Sequence, residues 1–317
     1  MKHLVSFSVY EDTDVLSSDL SLNFKEIGCD GIELLTGYDK VPNGHRKYAT
    51  AVHLPYAADW YCAWNGDNVP ECDSDTARFT MYGTCRNEVS DNLAHAISIA
   101  SEIDPPYGVL HAGNVNLDEV LKHQTSVSDK RILSAFCEMI NSAVSLLPKG
   151  RPPFKLALEN LWWPGLKMIN GWEIQFFDQK LEFEEWGICL DTGHLLNCLP
   201  CIRCEEEAVC ALEKIFYGYS SSVKDKIDTM HLHYSASSDY RECFKDCDKG
   251  NDTMDEFMKK AYDHISVIDQ HLPFRSSGCV DLVRIIDPNY VTHEMNGSVS
   301  GNILGDFKLQ RSHFSKN

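Results

Sequence analysis

The sequence predicts an α/β chain folded as a (β/α)8 barrel, and two observations carry that expectation. Short apolar or β-branched runs alternate with polar clusters and longer helical patterns along all 317 residues. That rhythm suits a barrel whose usual size is ~250 residues plus insertions. The rival doubly wound open sheet lacks its usual mark, because no glycine-rich G-x-G-x-x-G follows an early strand.

The runs that read as strands are 3–9, 31–35, 51–55, 108–111, 155–160, 187–191, 229–234 and 290–295. The first, His3-Leu4-Val5-Ser6-Phe7-Ser8-Val9, alternates with a period of two. Between the strands, helical patterns are clearest at 91–103, 128–147, 205–217 and 255–262. The acidic trio Glu205-Glu206-Glu207 opens one of them, where the helix macrodipole favours negative charge. Two stretches are too long for plain connections: 57–75 is rich in Trp, Asn and Asp, and 235–251 is polar and contains Cys243 and Cys247. Both follow strands, so in a barrel both belong to the C-terminal face, where long loops tend to be functional. No linker divides the chain, which is expected to form one domain over 1–317.

Composition excludes several function classes. With 43% hydrophobic and 24% charged residues the chain is ordinary globular material. Lys and Arg number 29 against 47 Asp and Glu, a formal charge of −18 and a pI near 5.1. The segments 149–155 and 308–316 are too short and mixed to form a basic face, so bulk nucleic acid and anionic membranes are poor partners. No stretch approaches the ~18 apolar residues of a membrane span. The N-terminus alternates like a strand and has no signal-peptide core, so a cytoplasmic location is expected. The thirteen cysteines are odd in number and irregular in spacing, which fits reduced thiols better than a disulfide framework.

The chemistry gathers where the strands stop. These ends read Val52-His53-Leu54-Pro55-Tyr56, Leu110-His111-Ala112-Gly113, Leu158-Glu159-Asn160, Asp191-Thr192-Gly193-His194, Met230-His231-Leu232-His233 and Thr292-His293-Glu294. Asp269-Gln270-His271 comes shortly before the last strand. Converging carboxylates repel one another, and a divalent cation between them is the usual remedy. Mixed imidazole and carboxylate donors suit Zn, Mn or Fe rather than Ca or Mg, and without thiolates this is no structural cysteine–zinc site. His233 rivals His231, since residues two apart on a strand face the same side.

In order, H-x-P-Y, H-x-G, L-E-N, D-T-x-H, H-L, D-x-H and a final E resemble the endonuclease IV branch of the xylose isomerase-like barrels, from Val5 to Met295. The resemblance implies up to three divalent metals, with zinc the first expectation and Mn or Fe the others, and phosphodiester hydrolysis. Its implied ligands are His53, His111, Glu159, Asp191, His194, His231, Asp269, His271 and Glu294, with Glu159, Glu294 and His111 as the catalytic set. Asn160 and Asn114 are the expected outer partners of the rings and carboxylates.

The chain departs from DNA-repair relatives in its acidity and its aromatic insertions. Trp60, Tyr61 and Trp64 follow His53, and Trp162 and Trp163 follow Glu159; they form a candidate stacking wall for a large flat ligand or base. That combination resembles the cobamide-remodelling phosphodiesterases, which hydrolyse the nucleotide-loop phosphodiester of vitamin B12-type cofactors. The implied partner is then a small-molecule phosphodiester. Two other readings stand beside it. A sugar isomerase or epimerase would need only Glu159, Asp191, His231 and Glu294, around one ion. A corrinoid- or metal-binding protein would not turn over at all. Cys198, Cys201 and Cys204, near Cys189 and Cys210, have a spacing that iron–sulfur sites use but read more simply as reduced thiols.

Overall fold

The computed structural model describes residues 1–12, 24, 26–67, 69 and 72–315, residue 255 by its backbone alone. Residues 68, 70 and 71 of the first long loop, and Lys316 of the mixed-charge tail, lie outside the described residues.

Eight parallel strands close into a barrel in sequence order. They are β1 Lys2–Ser8, β2 Ile32–Leu35, β3 Ala49–His53, β4 Tyr107–His111, β5 Lys155–Glu159, β6 Trp186–Asp191, β7 Ile227–His231 and β8 Tyr290–His293. Each pairs with the next, and β1 closes on β8 with Val5 opposite His293. Alternation then sorts the side chains. Leu4, Ala51, Tyr107, Val109, Ala157 and Cys189 fill the barrel interior. Their alternating neighbours Val52, Leu110, Leu156, Leu158, Ile188 and Leu190 join the larger core beneath the helices. Continuing the inward series one step up β3, β4, β5 and β6 reaches His53, His111, Glu159 and Asp191. The period of two therefore delivers those donors to one rim.

The fold matches the predicted barrel, and the boundaries differ by a few residues. β7 stops at His231 rather than 234 because the His233 N–H leaves the ladder and donates to Thr192 Oγ1 at 3.1 Å. The helix read over 255–262 runs Met254–Ile268, opened by a capping box of Thr253 and Glu256. The long segments hold helices of their own, Trp60–Asn65 and Ser238–Cys243. Among the described residues no helix is long and apolar enough to cross a membrane.

Candidate metal centre

Ladder register places donors side by side on the last rungs. His111 of β4 pairs with Glu159 of β5, and Asp191 of β6 pairs with His231 of β7. His194 is added by the helix Thr192–Asn197, whose N-terminus Asp191 caps by accepting from the His194 N–H at 2.6 Å. Asp269 caps the end of Met254–Ile268. His271 takes a left-handed φ of 48° that turns its ring back onto Asp269.

All nine residues that the resemblance implies lie in one constellation. Glu159 Oε2 stands 3.1 Å from His53 Nε2 and 3.2 Å from His111 Nε2. Its other oxygen is 3.2 Å from His194 Nδ1 and 3.4 Å from His231 Nδ1. Glu159, Asp191, His231 and Glu294 form a four-donor group whose ligand atoms all lie within 4.8 Å of one another. A third meeting point is Asp269 Oδ2, 3.2 Å from His194 Nε2 and 2.9 Å from His271 Nε2. His233 enters as well, 2.9 Å from Asp191 Oδ2 and stacked on His271 at 4.2 Å between centroids.

The hydrogen bonds behind the rings decide what this arrangement fits. His53 Nδ1–H donates to the Leu54 carbonyl at 2.7 Å, His194 Nδ1–H to that of Asn160 at 2.9 Å, and His271 Nδ1–H to that of Glu294 at 3.1 Å. His231 is anchored the other way round, its Nε2–H donating to Glu33 Oε1 at 2.7 Å. Each neutral ring therefore aims a lone pair at a carboxylate oxygen, and only a cation between them removes the repulsion. Buried His231 Nδ1, Glu294 Oε2 and Asp269 Oδ1 have no hydrogen-bond partner, as expected of atoms shaped for metal. The residues present fit divalent cations.

Without metal, protons must serve as those cations. Burial works against charge on His271, yet the facing Asp269 carboxylate outweighs it and holds the ring up to about 10. His194 is held well above its ordinary range in the same way, by Asp191 and Asp269 against burial. Burial pushes Glu294 up, but His231 and His271 draw it down to about 2. His111 moves the other way, lowered by burial despite Glu159.

Sequence reasoning missed Glu33. It lies buried inside the barrel, accepting from His231, from Tyr107 Oη at 2.6 Å and from Thr292 Oγ1 at 2.9 Å. The signal was present: a lone carboxylate interrupts the apolar run Gly31-Ile32-Glu33-Leu34-Leu35, and such groups are rarely buried without a partner. Asn160 has the expected outer role, through its carbonyl, its amide meanwhile donating to the Asp191 carbonyl at 2.9 Å. Asn114 does not. Its side chain accepts from the Tyr61 N–H at 2.9 Å and fixes a loop instead. Gly193 is required by packing, since a Cβ there would stand 2.1 Å from the His233 ring.

The stacking wall is corrected for three of its five members. Trp60, Tyr61 and Trp64 are buried in the hydrophobic core. Trp60 Nε1–H donates to the Gly113 carbonyl at 2.8 Å, and Tyr61 Oη accepts from Arg131 at 2.6 Å. Their helix turns its apolar face inward, so burial of aromatic area decided their place. Trp162 and Trp163 do line the site, Trp162 leaning on His194 at 5.0 Å between centroids. Gly165 makes this possible: at φ 139° it crosses so close to Ala112 that a Cβ would meet its carbonyl at 2.3 Å. The half-exposed Tyr56, also missed as a site residue, stacks on His111 at 4.4 Å. Cys201, Cys204 and Cys210 are exposed while Cys189 is buried, and among the described residues the groups of converging metal donors contain no cysteine.

No family model matches this chain, and no curated protein does. Solved structures do. Endonuclease IV from Thermus thermophilus is similar over 100% of both chains, at 11% identity and a TM-score of 0.55. A D-psicose 3-epimerase is similar over 99% of this chain and 97% of its own, at 10% identity and 0.53. A D-allulose 3-epimerase from Methylomonas sp. is similar over 100% and 96%, at 9% identity and 0.51. At such identities the likeness is one of fold. The chain therefore has a closed (β/α)8 barrel fold similar to that of endonuclease IV and of the two ketose 3-epimerases.

Proposed function

We propose that this chain is a metal-dependent phosphodiesterase, acting on a small phosphodiester of the kind found in the nucleotide loop of cobamides. The observation that carries this reading is the number and sharing of donors. Glu159 lies between the His53 and His111 rings on one oxygen and His231 on the other, and Asp269 between His194 and His271, which is more than one ion can use. His53, His111 and Glu159 would hold one ion. Glu159, Asp191, His231 and Glu294 would hold a second, and His194, Asp269 and His271 a third. Bound divalent ions, zinc first among them, supply Lewis acidity that offsets phosphoryl charge and activates water near neutral pH. The protein's part is to fix ring tautomers through the Leu54, Asn160 and Glu294 carbonyls and Glu33, and to cover the centre with Trp162 and Tyr56. A charge of −18 disfavours a polyanion such as DNA and tolerates a single phosphodiester.

A second reading rests on the fully assembled group Glu159, Asp191, His231 and Glu294, sufficient for a one-metal ketose isomerase or epimerase. Metal-loaded protein incubated separately with adenosylcobalamin, an abasic duplex and D-allulose distinguishes the two. Release of a cobinamide species and a riboside supports the proposal. Duplex incision at comparable efficiency overturns the small-substrate reading, and ketose interconversion without hydrolysis hands the site to the isomerase.

A further inference from the structure

A second cavity of about 390 Å3 adjoins the metal cavity, sharing Trp162, Trp163 and Ile265 with it. Its volume falls in the lower part of the range for small-molecule sites. We propose that it is the subsite for a neutral heteroaromatic ring, a nucleoside-type base on one arm of the phosphodiester, and that Asn197 Nδ2 reads that ring by a hydrogen bond. The proposal rests on the phosphodiesterase reading only in naming the molecule to which the ring belongs.

Asn197 carries the argument. Its side chain lines the cavity, is only 5% exposed, and its Nδ2 has no hydrogen-bond partner. The orientation of the amide follows from its neighbours. The Ser237 hydroxyl, itself accepting from Arg241 Nε–H at 3.1 Å, donates to Asn197 Oδ1, also at 3.1 Å. The oxygen is thus satisfied, and the amino group is left without a partner in a residue that lines the cavity. A buried donor of this kind calls for an acceptor such as a ring nitrogen or carbonyl. Sequence reasoning missed it, because an asparagine at the end of a short helix carries no motif.

The walls are those a flat ring would use. Phe244 packs on His264 at 4.1 Å between centroids on one side, and Trp162 and Trp163 stand at the junction with the metal centre. Charge argues against a second phosphate. Lys122 pairs with Asp248 at 3.0 Å, His123 with Asp246, and Lys167 donates to the Trp162 and Trp163 carbonyls. The Arg241 guanidinium donates to the carbonyls of Asn197 and Leu199 at 2.9 and 2.8 Å. Among the described residues lining the cavity, each of these cations already has acceptors. Glu119 and Asp129 also line it and would repel an anion.

Calorimetric titration of the full, metal-loaded chain with adenosine and with ribose tests the subsite. Asn197→Asp keeps the acceptor for Ser237 and removes the donor; Trp163→Ala removes a face and leaves Asn197 untouched. Adenosine should bind, ribose should not, and each variant should weaken adenosine by about tenfold or more. Equal binding of adenosine and ribose overturns the subsite, as does unchanged adenosine affinity in both variants. If Asn197→Asp fails to fold, Trp163→Ala decides alone. Hydrolysis of bis(p-nitrophenyl) phosphate by the unaltered protein is measured alongside. Hydrolysis without adenosine binding removes the subsite and leaves the phosphodiesterase. Variant-sensitive adenosine binding without hydrolysis keeps the subsite and removes the phosphodiesterase.

Discussion

His231 and Glu33 form a fully buried pair, the Nε2–H donating to Oε1 at 2.7 Å from inside the barrel. The carboxylate fixes the tautomer that presents Nδ1 to Asp191 and Glu294, and it makes that nitrogen a better donor to metal. The metal centre therefore extends one layer below the rim, into the barrel itself.

Glu33→Gln tests that layer. The substitution keeps the volume and removes the charge, so the barrel should remain folded by circular dichroism. Affinity for the ion at Asp191, His231 and Glu294 should fall roughly 10–100-fold, read by competition with a chromogenic chelator. Unchanged affinity would reduce Glu33 to a packing role.

His111→Ala and Asp269→Ala remove donors from two different groups. Each should cost one bound ion, measured by elemental analysis, and about 100-fold or more in phosphodiester hydrolysis. Two variants that both keep full activity would leave a single-ion site and favour the isomerase.

The pH dependence has a definite sign. His271 is held up to about 10 from an ordinary 6.5, so the metal-free fold binds its proton more tightly than the unfolded chain does. That contribution to stability is complete below about pH 6.5 and is lost as pH rises towards 10. Urea midpoints of metal-free protein should fall across this window. Metal binding at neutral pH should release protons, and metal affinity should rise with pH. A midpoint that climbs with pH would contradict the arrangement of His271 and Asp269.

Trp60→Ala separates core from site. With Trp60 only 1% exposed, the substitution should cost ~3–5 kcal/mol of stability in chemical denaturation. Metal content of the folded fraction should not change.

The barrel was legible because eight apolar runs alternate with helices, and the donors His53, His111, Glu159, Asp191 and His231 because they end those runs on the inward face. Parity also separates neighbours: His293, next to Glu294, turns away to His3 at 3.0 Å and to Gln310 at 2.9 Å. Glu33 and Asn197 were hidden for a different reason. Their roles depend on a partner brought by another strand or loop, which no local pattern announces. Trp60, Tyr61 and Trp64 misled because an aromatic cluster after a ligand strand looks the same whether its helix faces the cleft or the core.

Metal content per chain, measured by elemental analysis on protein purified without chelators, tests the central claim most directly. The sharing of Glu159 and Asp269 among five imidazoles predicts about three divalent ions per chain, lost in steps as the three groups are dismantled. About one ion per chain, unaffected by His111→Ala or Asp269→Ala, would contradict the account.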